Sequence, residues 1–81
     1  MEGRVHRVTV PNHGADDWHE LEVDERDAVV LGVVGGATAY RFWVSCDGSP
    51  LMEVKSFTAQ DALRFAKREL MRQQRTAGEA G

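Results

Sequence analysis

Val29-Val30-Leu31-Gly32-Val33-Val34, then Gly35-Gly36, then Ala37-Thr38-Ala39-Tyr40-Arg41-Phe42-Trp43-Val44, is the stretch that decides the fold. Two runs rich in β-branched and aromatic residues flank a pair of glycines. A two-residue hairpin loop of type I′ needs positive φ at both positions, which glycine adopts without steric cost. The stretch therefore predicts strands over 28–34 and 38–46. Such a loop pairs Val34 with Ala37, Val33 with Thr38, Leu31 with Tyr40 and Val29 with Phe42. Because side chains alternate along a strand, Val29, Leu31, Val33, Tyr40, Phe42 and Val44 fall on one face, the expected core. Ala28, Val30, Gly32, Val34, Ala37, Ala39, Arg41 and Trp43 fall on the other.

Downstream, Asp47-Gly48-Ser49-Pro50 leads into Leu51-Met52-Glu53-Val54-Lys55. A four-residue loop over 47–50 would set Val44 against Glu53 and Phe42 against Lys55. That would bury charges on the core face, at a cost of about several kcal/mol unless they are paired. A three-residue loop shifts the register by one, so that Phe42, Val44 and Cys46 share a face with Met52 and Val54. The odd loop is the expectation, with a third strand over 51–56.

Thr58 then opens a helix expected over 59–75. Its hydroxyl is placed to cap the Asp61 N–H, and the Asp61 carboxylate lies in the first turn, where the helix dipole favours a negative charge. Phe57, just before the cap, is placed to pack back on Ala62 or Leu63. At 100° per residue Ala59, Ala62, Leu63, Ala66 and Leu70 form one apolar stripe, and its alanines imply a close approach to the sheet. Thr76-Ala77-Gly78-Glu79-Ala80-Gly81 has no periodicity and is expected to be a disordered tail, leaving a single domain over 1–75.

The N-terminal part adds one or two strands. Arg4-Val5-His6-Arg7-Val8-Thr9-Val10 is β-branched and stops at Pro11. Residues 12–17 have loop composition, and Trp18-His19-Glu20-Leu21-Glu22-Val23 alternates in its second half. The fold class is thus α+β: an antiparallel β-meander packed on one C-terminal helix.

At 81 residues, with 42% hydrophobic and 28% charged content, the chain has the composition of an ordinary small soluble domain. The charged opening lacks the apolar core of a signal peptide, and no unbroken apolar run reaches the roughly 20 residues of a membrane span. A lone cysteine, Cys46, forms no internal disulfide and supplies too few thiolates for a cysteine-rich zinc site. A reducing, cytoplasmic setting is expected.

The net charge of −3 is unevenly spread. Residues 1–40 hold eight acidic and three basic side chains, whereas residues 41–81 hold seven basic and five acidic ones. Arg64, Arg68, Arg72 and Arg75 recur along one helix face opposite the apolar stripe. They form either a docking strip for phosphates or an acidic partner, or a solvated face balanced by the acidic segment from Asp16 to Asp27. Trp43, flanked by Arg41 and Lys55, is a second candidate surface on the far face of the sheet. Its expected cover is the N-terminal strands, a second copy of the chain or a ligand.

His6, His13 and His19, with Asp16 and Asp17, match no metal-ligand spacing, and no metal or other cofactor is expected. Gly32 to Gly36 lacks the Lys-Ser/Thr of a P-loop and reads as a hairpin. No nucleophile–base pair or carboxylate pair can be placed.

Tyr40-Arg41-Phe42-Trp43-Val44-Ser45-Cys46-Asp47-Gly48, followed by Lys55-Ser56-Phe57-Thr58-Ala59-Gln60-Asp61-Ala62, is similar to the sheet-to-helix portion of the AP2-like DNA-binding domains of phage integrases. The shared pattern is an aromatic-rich strand, an Asp-Gly turn and Phe-Thr-x-x-(Asp/Glu)-Ala. The resemblance implies a three-stranded sheet on one helix, with Arg41, Trp43 and Lys55 on the face that enters the major groove. That face also carries Val30, Val34, Ala37, Ala39 and Glu53, which supply no phosphate contacts.

These readings lead to a small, non-enzymatic cytoplasmic binding or adaptor protein that engages a protein partner or a second copy of itself. A DNA-binding accessory protein is the alternative, and an enzyme the third option. No membrane association is expected.

Overall fold

The computed structural model describes residues 4–12 and 17–80, with side chains as far as residue 75. The strands are β1 (Val5–Pro11), β2 (Trp18–Asp24), β3 (Val29–Val34), β4 (Ala37–Cys46) and β5 (Ser49–Ser56). A single helix, α1 (Ala59–Ala80), follows. All five strands form one antiparallel sheet with α1 against one face, which is the α+β architecture expected. The helix backbone continues five residues past the expected end, and Gly81 lies outside the described residues.

β4 is the central strand. Along one edge it pairs with β5 from Tyr40 to Cys46. Its other edge is shared by two strands end to end: β2 takes Val44 to Cys46 and β3 takes Ala37 to Arg41. The chain manages this by stepping sideways between β2 and β3 in one 3₁₀ turn, Glu25–Asp27. Asp24 holds the step. Its carboxylate accepts the Arg26 backbone N–H at 2.9 Å and the Arg26 guanidinium at 2.7 Å. The N-terminal strands therefore widen the sheet through the β1–β2 pair, and do not lie over its second face as one expectation had it.

The core is built from Val10, Leu21, Val23, Phe42, Val44 and Val54 of the sheet and Ala59, Ala62, Leu63 and Ala66 of the helix. Full burial of one such large aliphatic or aromatic side chain contributes about 1.5–3 kcal/mol. Ala62 and Ala66 have no exposed surface, so the alanine stripe does bring α1 close to the sheet. Thr58 caps the helix as expected, its Oγ1 accepting the Asp61 N–H at 3.1 Å. Phe57 beside it stays about half exposed.

Three expectations need correction. First, β3 is not part of the core: Val29, Leu31 and Val33 are 46%, 43% and 70% exposed. β5 ends opposite Tyr40, so the chain turns into α1 there, and α1 packs on β1, β2, β4 and β5. Beyond Tyr40, β3 and the start of β4 run on as a two-stranded ribbon, consistent with overall dimensions of 44 × 24 × 15 Å.

Second, the register holds at Val34↔Ala37 and Val33↔Thr38 but slips at a β-bulge between Val30 and Gly32. Val30 then faces Tyr40, and Val29 faces Arg41 rather than Phe42. One extra residue moves the lower half of β3 by one position and exchanges its faces.

Third, the turn after β4 has two residues, not three. Asp47 and Gly48 both take positive φ, 52° and 86°, and Cys46 pairs with Ser49. A register shift between Val44 and Ser45 then restores the expected partners, Val44↔Met52 and Phe42↔Val54. The parity requirement was real, and a bulge met it.

Candidate functional site

The two sets of candidate residues lie on opposite sides of the molecule. Arg64, Arg68, Arg72 and Arg75 are exposed on the outer surface of α1. Arg41, Trp43 and Lys55 lie on the sheet face away from the helix. They do not form one surface.

Two of the four helix arginines are balanced locally rather than by the acidic segment of residues 16–27. Arg64 pairs with Asp61 at 3.3 Å and Arg72 with Glu69 at 2.8 Å, both one turn apart. The Arg72 hydrogen bonds hold the Glu69 carboxyl below its usual range. Among the described acidic residues of the N-terminal half, Glu22 and Glu20 engage Arg7, and Asp24 engages Arg26. Asp16 and His13 lie outside the described residues.

Trp43 is 41% exposed, and its indole Nε1 donates to Glu53 Oε1 at 3.1 Å. The other Glu53 oxygen lies 3.8 Å from Arg41 Nε. Glu22, Asp24 and Asp27 line the same open groove beside the indole. Arg41 is thus met by a carboxylate of the same chain, and with Glu22, Asp24, Asp27 and Glu53 around the indole the face offers no uniform positive field.

The ribbon is what the sequence reading missed as a site. Val29, Val30, Leu31, Val33 and Val34 are each between 43% and 70% exposed. They divide between the two faces of the ribbon, so that the strand is apolar and exposed on both sides, unlike the scattered single apolar residues of an ordinary surface. No charged residue and no proline occurs between Ala28 and Tyr40. Runs of this kind read as core, and only the early end of β5 shows that no other described element reaches them.

A second grouping was also missed. The hairpin turn brings Asp47 beside Cys46, and the β2–β4 pairing brings His19 to both. Asp47 Oδ2 lies 2.7 Å from His19 Nδ1 and 3.7 Å from Cys46 Sγ. Asp47 Oδ1 accepts the Glu20 N–H at 2.9 Å, and the Asp47 N–H donates to the Glu20 carbonyl at 2.9 Å. Bonds from His19 and Glu20 hold the Asp47 carboxyl below its usual range, while burial and the neighbouring carboxylate push the Cys46 thiol up. A thiol held protonated is a poor nucleophile. His6 lies toward the other end of the β1–β2 pair, 3.2 Å from Glu25, and does not join His19 and Cys46.

No protein-family model matches the chain, and no curated protein or solved structure matches it significantly. Among the described residues no helix is long and apolar enough to cross a membrane.

Proposed function

We propose that this chain is a small, non-enzymatic binding protein of the cytoplasm that engages a partner by adding a strand to the open edge of β3, and that its first occupant is a second copy of the chain. The observation that carries this reading is the exposed apolar edge itself. An unpaired strand is a template for another strand, and proteins usually protect such edges with charge, proline or cover. The other edge strands carry that protection: Pro50, Glu53 and Lys55 in β5, and His6, Arg7 and Pro11 in β1. β3 has none of it.

Self-pairing is favoured over a charged partner because the ribbon is uncharged. A two-fold arrangement sets apolar residues against apolar residues with no like charges opposed. A pair joined through one short strand from each chain is expected to dissociate on dilution, as small interfaces do. The lone half-buried thiol fits a reducing compartment. The alternative, DNA binding through Arg41, Trp43 and Lys55 as in the integrase-like domains, is disfavoured by the four carboxylates, Glu22, Asp24, Asp27 and Glu53, that line the groove beside Trp43.

Sedimentation velocity over a concentration series tests the reading. The expected result is a shift toward twice the chain mass as concentration rises, abolished in Val33→Lys without loss of the thermal transition. A single-chain mass throughout would overturn it. Steeply salt-dependent binding to duplex DNA would put the alternative in its place.

A further inference from the structure

We infer that His19, Cys46 and Asp47 form a binding site for a borderline-soft divalent metal ion of the zinc class, pinning the β4–β5 turn to β2. One potential ligand atom from each of the three lies within 4.8 Å of the others. Zinc bonds of about 2.0–2.1 Å to nitrogen or oxygen and about 2.3 Å to sulfur set tetrahedral donors roughly 3.3–3.6 Å apart. The Sγ–Oδ2 distance of 3.7 Å is already close to this, and the Nδ1–Oδ2 distance of 2.7 Å has to open by roughly 0.6 Å as the metal replaces the His19–Asp47 hydrogen bond.

The donor set selects the metal class. One sulfur, one imidazole nitrogen and one carboxylate oxygen suit zinc or cobalt, and not magnesium or calcium, which prefer all-oxygen shells. The other carboxylate oxygen is anchored on the Glu20 N–H, the kind of outer bond that orients a ligand. The Asp47 side chain is 50% exposed and that of His19 27%, leaving an outward position for water as a fourth ligand. Asp47 is also the one residue other than glycine with positive φ among those described, and that conformation aims its carboxylate back at β2. A turn-to-strand clip accounts for His19 and Asp47 without a metal, and Cys46 packs along the edge of the core. With its Sγ 3.7 Å from the same carboxylate oxygen, Cys46 supplies the third donor, giving up its thiol proton as the metal binds.

Cobalt titration of the reduced, chelator-treated full chain tests the site. Cys46 is the only cysteine, so a thiolate-to-cobalt absorption band reports this site alone. The expected result is one Co²⁺ per chain with that band, displacement by Zn²⁺, and a melting temperature that rises with added Zn²⁺. Cys46→Ser should abolish the band, and Cys46→Ser and His19→Gln should each weaken Zn²⁺ binding by about tenfold or more. The wild-type spectrum decides even if a variant folds poorly. Saturating Co²⁺ without a thiolate band would overturn the inference, as would Zn²⁺ affinity unchanged in a folded Cys46→Ser variant.

Discussion

Val33 and Val44 are the same residue type on the same face of one sheet, yet Val44 is 1% exposed and Val33 70%. Hydropathy and alternation treat them alike. What separates them is where neighbouring strands stop. Around Val44 the sheet is flanked by β2 and β5 and roofed by α1, whereas around Val33 the described residues leave the ribbon alone. The lesson is that an apolar strand face is core only where a second layer reaches it. Where none does, the same chemistry is left exposed as apolar surface.

The most direct way to break the comparison is to delete the same methyl groups from both valines. Val44→Ala removes fully buried atoms and should cost about 2–4 kcal/mol in denaturant unfolding. In dilute protein Val33→Ala should stay within about 0.5 kcal/mol, as for other exposed positions. Equal losses would mean that the ribbon is packed after all. On the covered side, Ala66→Leu forces a larger side chain between α1 and the sheet, with an expected loss of about 1–3 kcal/mol in the same assay. Thr58→Ala leaves the Asp61 N–H without its cap and should cost about 1 kcal/mol.

The smallest effect concerns the junction that ends the covered region. The Asp47 carboxyl is held below its usual range in the folded chain. Its contribution to stability is therefore present above the pKa of an unfolded aspartate and is lost as pH falls through the lower folded value. Thermal melts of the chelator-treated chain in acid should show a shallower pH dependence for Asp47→Asn than for the wild type. Because the carboxyl is exposed, added salt should reduce the difference.

Local chemistry made much of the covered half legible. The Thr58 cap, the helix stripe and the parity of Phe42 and Val44 with Val54 follow from periods and polarity that nearby residues impose. The ribbon was not legible because its exposure depends on Ser56 ending β5 opposite Tyr40, a non-local fact. The β3 bulge did leave a residue signal, Gly32 inside an otherwise β-branched run, which marks a bulge but does not say which way the register slips. The His19–Cys46–Asp47 grouping depends on β2 pairing with the far end of β4, which brings together residues as much as 28 apart in the chain. Cys46 and Asp47 are neighbours in sequence, but nothing local points to His19.

The central claim is that the β3 edge is open in a single chain and closes against another strand. The Val33 amide reads this most directly. It is one residue outside the Val34↔Ala37 pair that closes the Gly35-Gly36 turn, so its N–H points away from β4. Hydrogen exchange at this amide should be fast in dilute protein and slow progressively as concentration rises. Fast exchange that ignores concentration, or protection already complete at the lowest concentration, would contradict it.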